Sequence, residues 1–121
     1  MNTLTKPERL SSFGAIRRLF MEGRSGFVYP FRYVYYIEDA APPEAAILFS
    51  TPKKFHKRAN KRNTVRRRMR EAYRLNKELL TAPLGNRRIE LALVYSSKTL
   101  HDYKFIENAL KKSLEQIASN L

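Results

Sequence analysis

Between Lys53 and Lys77 the chain sets twelve Lys or Arg against one acid, Glu71, a net +11 of the +13 carried by all 121 residues. The later part of the run is mostly arginine: Arg62, Arg66, Arg67, Arg68, Arg70 and Arg74. A guanidinium forks onto phosphate oxygens and stacks on bases, so the chemistry such a run can do is to grip a polyanion. A face meant only for solubility mixes both signs, and this one does not. Neutralising six to ten phosphates makes affinity fall roughly 10³–10⁵-fold between 50 and 200 mM salt.

Bond-breaking chemistry finds little to work with. A protein nuclease needs a carboxylate cluster around two metal ions, or a general acid–base pair. The eleven acids are mostly dispersed, and no Asp/Glu pair at helical spacing lies near the basic run. Glu71 reads as a partner for a neighbouring arginine. His56 lies in the basic loop, within reach of a phosphate or sugar. His101, beside Asp102, reads as a residue at a helix start. Zero cysteines exclude disulfides, thiolate metal sites and cysteine nucleophiles. No Gly-rich phosphate loop is present. The chain is therefore expected to hold no catalytic residue and no metal or cofactor of its own.

The elements that must carry these residues follow from periodicity. Residues 8–22 repeat Leu10, Phe13, Ile16, Leu19 and Phe20 at helical spacing, with Ser11 or Ser12 as cap and Gly23 as stop. Residues 27–38 are aromatic and β-branched and read as strand, split or edged at Pro30. Residues 39–44 form a turn, and Ala46 to Ser50 a short buried strand. The basic helix runs roughly from Ala59 to Leu80 and is broken by Pro83, Gly85 and Asn86. Ile89 to Tyr95 is the clearest strand. Asp102 caps a last helix with the stripe Tyr103, Ile106, Leu110, Leu114 and Ile117. The order is α-β-β-β-α-β-α, a single α+β domain over residues 1–121, built as a two-layer sandwich on a small sheet.

At about 100° per residue, Val65, Met69, Ala72 and Asn76 fall on one face of the basic helix, with Tyr73 on its flank. Asn63, Arg66, Arg67, Arg70, Arg74 and Lys77 cluster on the far side. Like charges at i,i+4 cost a few tenths of a kcal/mol per pair, a penalty that an anionic partner removes. A second candidate surface is aromatic. Phe27, Tyr29, Phe31, Tyr33 and Tyr35 share one strand face if the pleat is unbroken, although Pro30 can shift the register and expose Tyr36 instead. Such a face is either core or a platform for unpaired bases, worth about 1–3 kcal/mol each. Phe13 and Phe20 on the first helix could line its other wall.

The stretch Ser50-Thr51-Pro52-Lys53-Lys54, followed by Arg62-Asn63-Thr64-Val65-Arg66-Arg67-Arg68-Met69-Arg70-Glu71-Ala72-Tyr73-Arg74, resembles the signature of the bacterial ribonuclease P protein subunit. The matching positions are Lys53, Lys54, Arg62, Asn63, Arg66, Arg67, Arg70, Glu71 and Tyr73. Arg9-Leu10 with Phe20 and Gly23 is similar to that family's opening helix. Thr64 stands where the family usually repeats an arginine, and Ile16 where the opening helix often carries a second aromatic.

The resemblance implies a ribosomal protein S5 domain 2-like fold, with a small mixed sheet and a left-handed βαβ crossover. It implies a subunit of the endoribonuclease that matures the tRNA 5′ end, in which the RNA partner cuts with bound Mg²⁺. The expected partners are that catalytic RNA and precursor tRNA. RNA contacts are expected from Lys53, Lys54, Lys57, Arg58, Lys61, Arg62, Asn63, Arg66, Arg67, Arg70 and Arg74. Contacts to the 5′ leader are expected from Phe13, Phe20, Phe31 and Tyr33.

The alternative is a ribosomal-protein-like module that binds folded RNA without a processing role. A helix-turn-helix DNA binder fits poorly, because strands rather than a short helix bracket the basic helix. No apolar run approaches the roughly 18 residues of a membrane span, and no signal-peptide core opens the sequence, so the cytoplasm is the expected compartment and no membrane partner is expected.

Overall fold

The computed structural model describes residues 13–39 and 44–121, so the caps expected at Ser11 or Ser12, the Arg9-Leu10 pair and most of the 39–44 turn lie outside the described residues. Four strands form one mixed sheet: β1 (Arg24–Val28), β2 (Phe31–Glu38), β3 (Glu44–Ser50) and β4 (Arg88–Tyr95). Their spatial order is β1-β2-β4-β3. β1 and β4 both run antiparallel to β2, whereas β3 runs parallel to β4. A parallel neighbour requires a crossover. Helices α2 (Ala59–Asn76) and α3 (Glu78–Leu84) supply it, while α1 (Phe13–Glu22) precedes the sheet and α4 (Tyr103–Ala118) follows it.

The strand expected at 27–38 is a hairpin. Tyr29 and Pro30, joined by a cis peptide, form its turn, so the split expected at Pro30 is a reversal of the chain, and the pleat that would put Phe27 on the face of Phe31 is broken. Phe31, Tyr33 and Tyr35 keep one face, and they join Ile47, Ile89, Leu91, Leu93 and Tyr95 in the main core under α2, α3 and α4. Gly26 pairs with Tyr33 across the hairpin, and the Tyr33 ring occupies the space that a Cβ at Gly26 would need. The Tyr33 hydroxyl donates to Gln116 Oε1 of α4 at 2.9 Å.

The opposite face is also used. Val34, Ala46 and Ala92 present small side chains there, and Leu19 of α1 is fully buried against them. Helices therefore sit on both faces, with α1 alone on the second. The α1–β1 turn is tight. Gly23 N–H donates to Leu19 O at 2.8 Å, and a Cβ at Gly23 would run into the backbone carbonyls of Leu19 and Tyr35. Backbone cannot yield as a side-chain tip can. Gly23→Ala is expected to destabilise the protein by about 1–3 kcal/mol, read as a lower denaturation midpoint; an unchanged midpoint would count against the close approach.

The basic helix ends earlier than its periodicity implies. Asn76 Nδ2 turns back to Ala72 O at 2.8 Å and reaches Glu107 Oε2 at 3.1 Å. Leu80 N–H and Thr81 N–H then both donate to Lys77 O, which starts α3 afresh. The bend seats Leu80 and Leu84 in the core beside α4. Pro83 consequently lies inside α3 rather than breaking it, and Gly85, at φ 67°, makes the stop. The last helix forms as its sequence dictates. Asp102 accepts from Phe105 N–H at 2.9 Å, and Ile106, Leu110, Leu114 and Ile117 are fully buried.

Candidate nucleic-acid interface

α2 is held by its apolar face. Val65, Met69, Ala72 and Tyr73 are fully buried, which turns the opposite face outward. The structure then sorts the cations in a way that charge counting could not. Lys53, Lys54, Lys57, Arg58, Lys61, Arg67 and Arg70 are exposed, as is Asn63. Arg62, Arg66 and Arg74 are half-buried and tied down.

Each tie has a distinct geometry. Arg62 Nη1 donates to His56 O at 3.1 Å and to Lys57 O at 2.7 Å, clamping the basic loop to the first turn of α2. Arg66 donates to Thr51 Oγ1 at 2.8 Å and to Asn63 Oδ1 at 3.3 Å, joining α2 to the end of β3. Arg74 pairs with Glu71, its Nε lying 3.1 Å from Oε2. This hydrogen bond holds the Glu71 carboxylate below its ordinary range. A carboxylate depressed in the folded state adds stability above its unfolded pKa, and that is lost as pH falls through the lowered folded value. The pair therefore persists at neutral pH. Thr64, in place of an arginine, donates its hydroxyl back to Asn60 O at 2.9 Å.

Arg68 was not singled out from the sequence. It reaches away from the cation face to donate to His101 O at 2.6 Å, securing the loop before α4. His56 is buried, with Nε2 2.9 Å from Ser97 O. A ring so engaged is turned away from phosphate, so its place is to join the basic loop to the β4–α4 loop. The first turn of α2 holds no acid and Arg58 makes no side-chain cap. Cations there add to the positive end of the helix dipole, and nothing local offsets it.

The second candidate surface lies on the α1 side of the sheet. The strand register aligns Phe27, Arg32, Val94 and Ser50 in one row across all four strands. α1 does not cover this row. Arg18 and Phe20 fall on opposite flanks of the buried Leu19, since neighbours differ by about 100° around a helix. Arg18 reaches Glu38 at 2.7 Å and Glu90 at 2.9 Å, near the far end of the sheet. Phe20 therefore flanks the side toward the open row. The result is a shallow groove with exposed Phe20 and Phe27 and the exposed cation Arg32, ending at Ser50 where the Thr51–Arg66 bond begins the basic surface.

Two expected leader contacts are not at this groove. Phe31 is 0% exposed and Tyr33 5% exposed, because the hairpin turn puts their face against α4. Phe13 and Phe20 are exposed, and the open face carries Tyr36, with the Arg18 guanidinium 4.8 Å above its ring. Arg32 joins this surface unexpectedly, and Phe27 faces away from Phe31 and Tyr33 because the split at Pro30 is a full reversal of the chain.

Among the described residues, no group of three or more His, Asp or Glu side chains could hold a metal ion, and no helix is long and apolar enough to cross a membrane.

Comparison with known proteins gives a family and a fold. The family model described as "Ribonuclease P" matches residues 4–118. The chain is 42% identical over 121 residues to the ribonuclease P protein component of Porphyromonas gingivalis, covering 98% of this chain and 88% of that one. It is 34% identical over 110 residues to the corresponding protein of Chlorobaculum tepidum, covering 80% and 70%. In fold it is similar to the RNase P protein from Thermotoga maritima, with a TM-score of 0.72 at 20% identity over 90% of this chain and 96% of that one. It is likewise similar to that from Staphylococcus aureus, at 0.69 and 20% identity over 96% and 92%.

Proposed function

The chain belongs to the ribonuclease P protein component family, and from that premise we propose that it binds the catalytic RNA and the 5′ leader of precursor tRNA, assisting removal of the leader. The observation that carries the reading is adjacency. A row of solvent-facing cations on α2 and its preceding loop adjoins a groove flanked by exposed Phe20 and Phe27.

The division of labour follows from charge. Two large polyanions repel, and a cation face between them lowers that repulsion. Lys53, Lys54, Lys57, Arg58, Lys61, Arg67 and Arg70 meet phosphate directly. Arg62, Arg66 and Arg74, together with Asn63, hold the shape of that face and complete it. In the groove, bases of a single strand stack on Phe20 and Phe27 while Arg32 meets the backbone. Phe13, exposed about two turns back toward the start of α1, extends the same wall. Magnesium, bound by the RNA and the substrate, supplies the hydrolytic chemistry. No side chain of this protein takes part in breaking the bond, and the place of action is the cytoplasm.

The test is direct. Mixed with catalytic RNA from a related bacterium, the protein is expected to raise precursor-tRNA cleavage at low magnesium and to favour substrates that carry a leader. No stimulation, together with equal affinity for substrates with and without a leader, would sink the reading. Stimulation of RNA folding alone would instead favour a structural module.

A further inference from the structure

Beyond the groove, the end of the sheet carries a second aromatic surface that no core contact requires. Phe27, Tyr29 and Phe105 are 53%, 48% and 42% exposed. The rings form one connected set. Tyr29 stands edge-on to Phe27 at 6.5 Å, to His101 at 5.5 Å and to Phe105 at 6.2 Å between centroids. His101 and Phe105 stack face to face at 4.0 Å and 13°.

This surface is held in place. The Tyr29 hydroxyl lies 2.8 Å from Ser97 Oγ and 3.1 Å from His101 Nε2. The backbone of His101 is fixed from two sides, its carbonyl by Arg68 and its N–H by the Tyr95 hydroxyl at 3.2 Å. Phe105 sits in the first turn of α4, its own N–H accepted by the Asp102 cap. Rings locked in this way lose little freedom on meeting a ligand. Exposed apolar surface held rigid by polar ties is more consistent with a binding platform than with leftover core.

We propose that Tyr29, His101 and Phe105 form a platform for an unpaired nucleotide of the bound RNA, distinct from the α1 groove, with its base stacked on Phe105 and its flanking phosphates on Lys98 and Lys104. Charge and continuity choose the ligand. Lys98 and Lys104, three residues to either side of His101 in the chain, are exposed, and no acid other than the capping Asp102 lies between residues 96 and 106. The platform shares Phe27 with the groove, and the His56–Ser97 bond joins it to the basic loop. A strand leaving the groove past Phe27 runs onto it. The inference rests on the RNA-binding reading above, and extends the bound strand around the end of the sheet.

The experiment uses the full chain and a short single-stranded RNA carrying 2-aminopurine, whose fluorescence falls on stacking. Phe105→Ala is expected to weaken binding about tenfold and to remove most of the quenching, while Phe105→Tyr retains both. Joint reversal of Lys98 and Lys104 to glutamate is expected to weaken binding by a similar factor with the rings intact. Phe20→Ala and the Arg67→Ala, Arg70→Ala pair run alongside.

If those weaken binding and Phe105→Ala does not, the platform is overturned and the RNA-binding reading stands. If no variant changes binding, both fall. Loss of a concentration-dependent self-association, or of binding to anionic vesicles, on Phe105→Ala without an effect on RNA would also overturn it. A circular-dichroism melt confirms that each variant is folded.

Discussion

Replacing Arg67 and Arg70 together by alanine is expected to weaken binding to the catalytic RNA by about tenfold or more near 0.1 M salt, and to reduce the log–log salt slope by about two. The pair is chosen by structure. Both side chains are exposed on the face opposite Val65 and Met69, so their loss removes phosphate contacts without touching the core. Arg66 is a poorer test, because its bond to Thr51 couples RNA affinity to the join between α2 and β3. Arg62 has the same weakness through its clamp on the basic loop. Folding stability should hold or rise slightly in the double variant, since two members of a mutually repelling row are gone. Binding and slope both unchanged would show that the outer face of α2 is not where RNA sits.

The largest effect on stability is expected at Glu90. This carboxylate is 1% exposed, yet it accepts from Arg18 at 2.9 Å and from Arg88 at 3.0 Å. Arg18 also reaches Glu38, and Arg88 reaches Glu44 at 3.0 Å. The hydrogen bond to Glu90 pushes the Arg18 pKa further up. Glu90→Ala leaves two guanidinium groups facing a cavity under α1. Because both are half-buried rather than dry, the cost is set at about 2–4 kcal/mol, below that of a fully enclosed pair. Glu90→Gln fills the space and keeps one acceptor oxygen, but it loses the charge and sets an amide donor against the second guanidinium. Its cost should be smaller than that of alanine yet still about 1–3 kcal/mol. Urea denaturation followed by circular dichroism reads both. A loss under roughly 0.5 kcal/mol for the alanine variant, within the range of surface substitutions, would mean that the network is solvated and does not fasten α1 to the sheet.

What could be read from the sequence is what depends on neighbours close in the chain. The Asp102 cap and the α4 stripe need only residues within a few turns, and both formed as expected. The two-faced character of α2 likewise follows from spacing alone. Glu71 found an arginine three residues away, as an acid in a cationic helix should.

The rest depended on distant partners. Phe31 and Tyr33 looked available because nothing local says which side of a strand α4 will cover. The hairpin at Tyr29-Pro30 decided it by separating their face from that of Phe27. Likewise, α1 found the second face of the sheet through Val34, Ala46 and Ala92, whose small side chains carry no sign of a helix above them. His56 was placed near phosphate by its charged neighbours, but Ser97, forty-one residues on, claimed it. Which arginines are left to meet a ligand was settled by Thr51 and by the carbonyls of His56 and Lys57.

The two ends of the sheet differ in charge. Glu38, Arg88 and Glu44 lie side by side at one end, with Glu90 two rows further in, Glu22 at the end of α1 and Asp39 just after β2. Arg18, Arg24, Arg87 and Arg88 at this end are thus nearly balanced by acids. The opposite end leads from Ser50 into Lys53, Lys54, Lys57 and Arg58. The molecule is thus electrically polar along its strands, as well as cationic overall. In the field of a polyanion such a body experiences a torque, which turns its basic end inward before contact. Encounters then begin near the productive orientation, and association is faster than for a uniformly charged sphere, by a margin that salt erases.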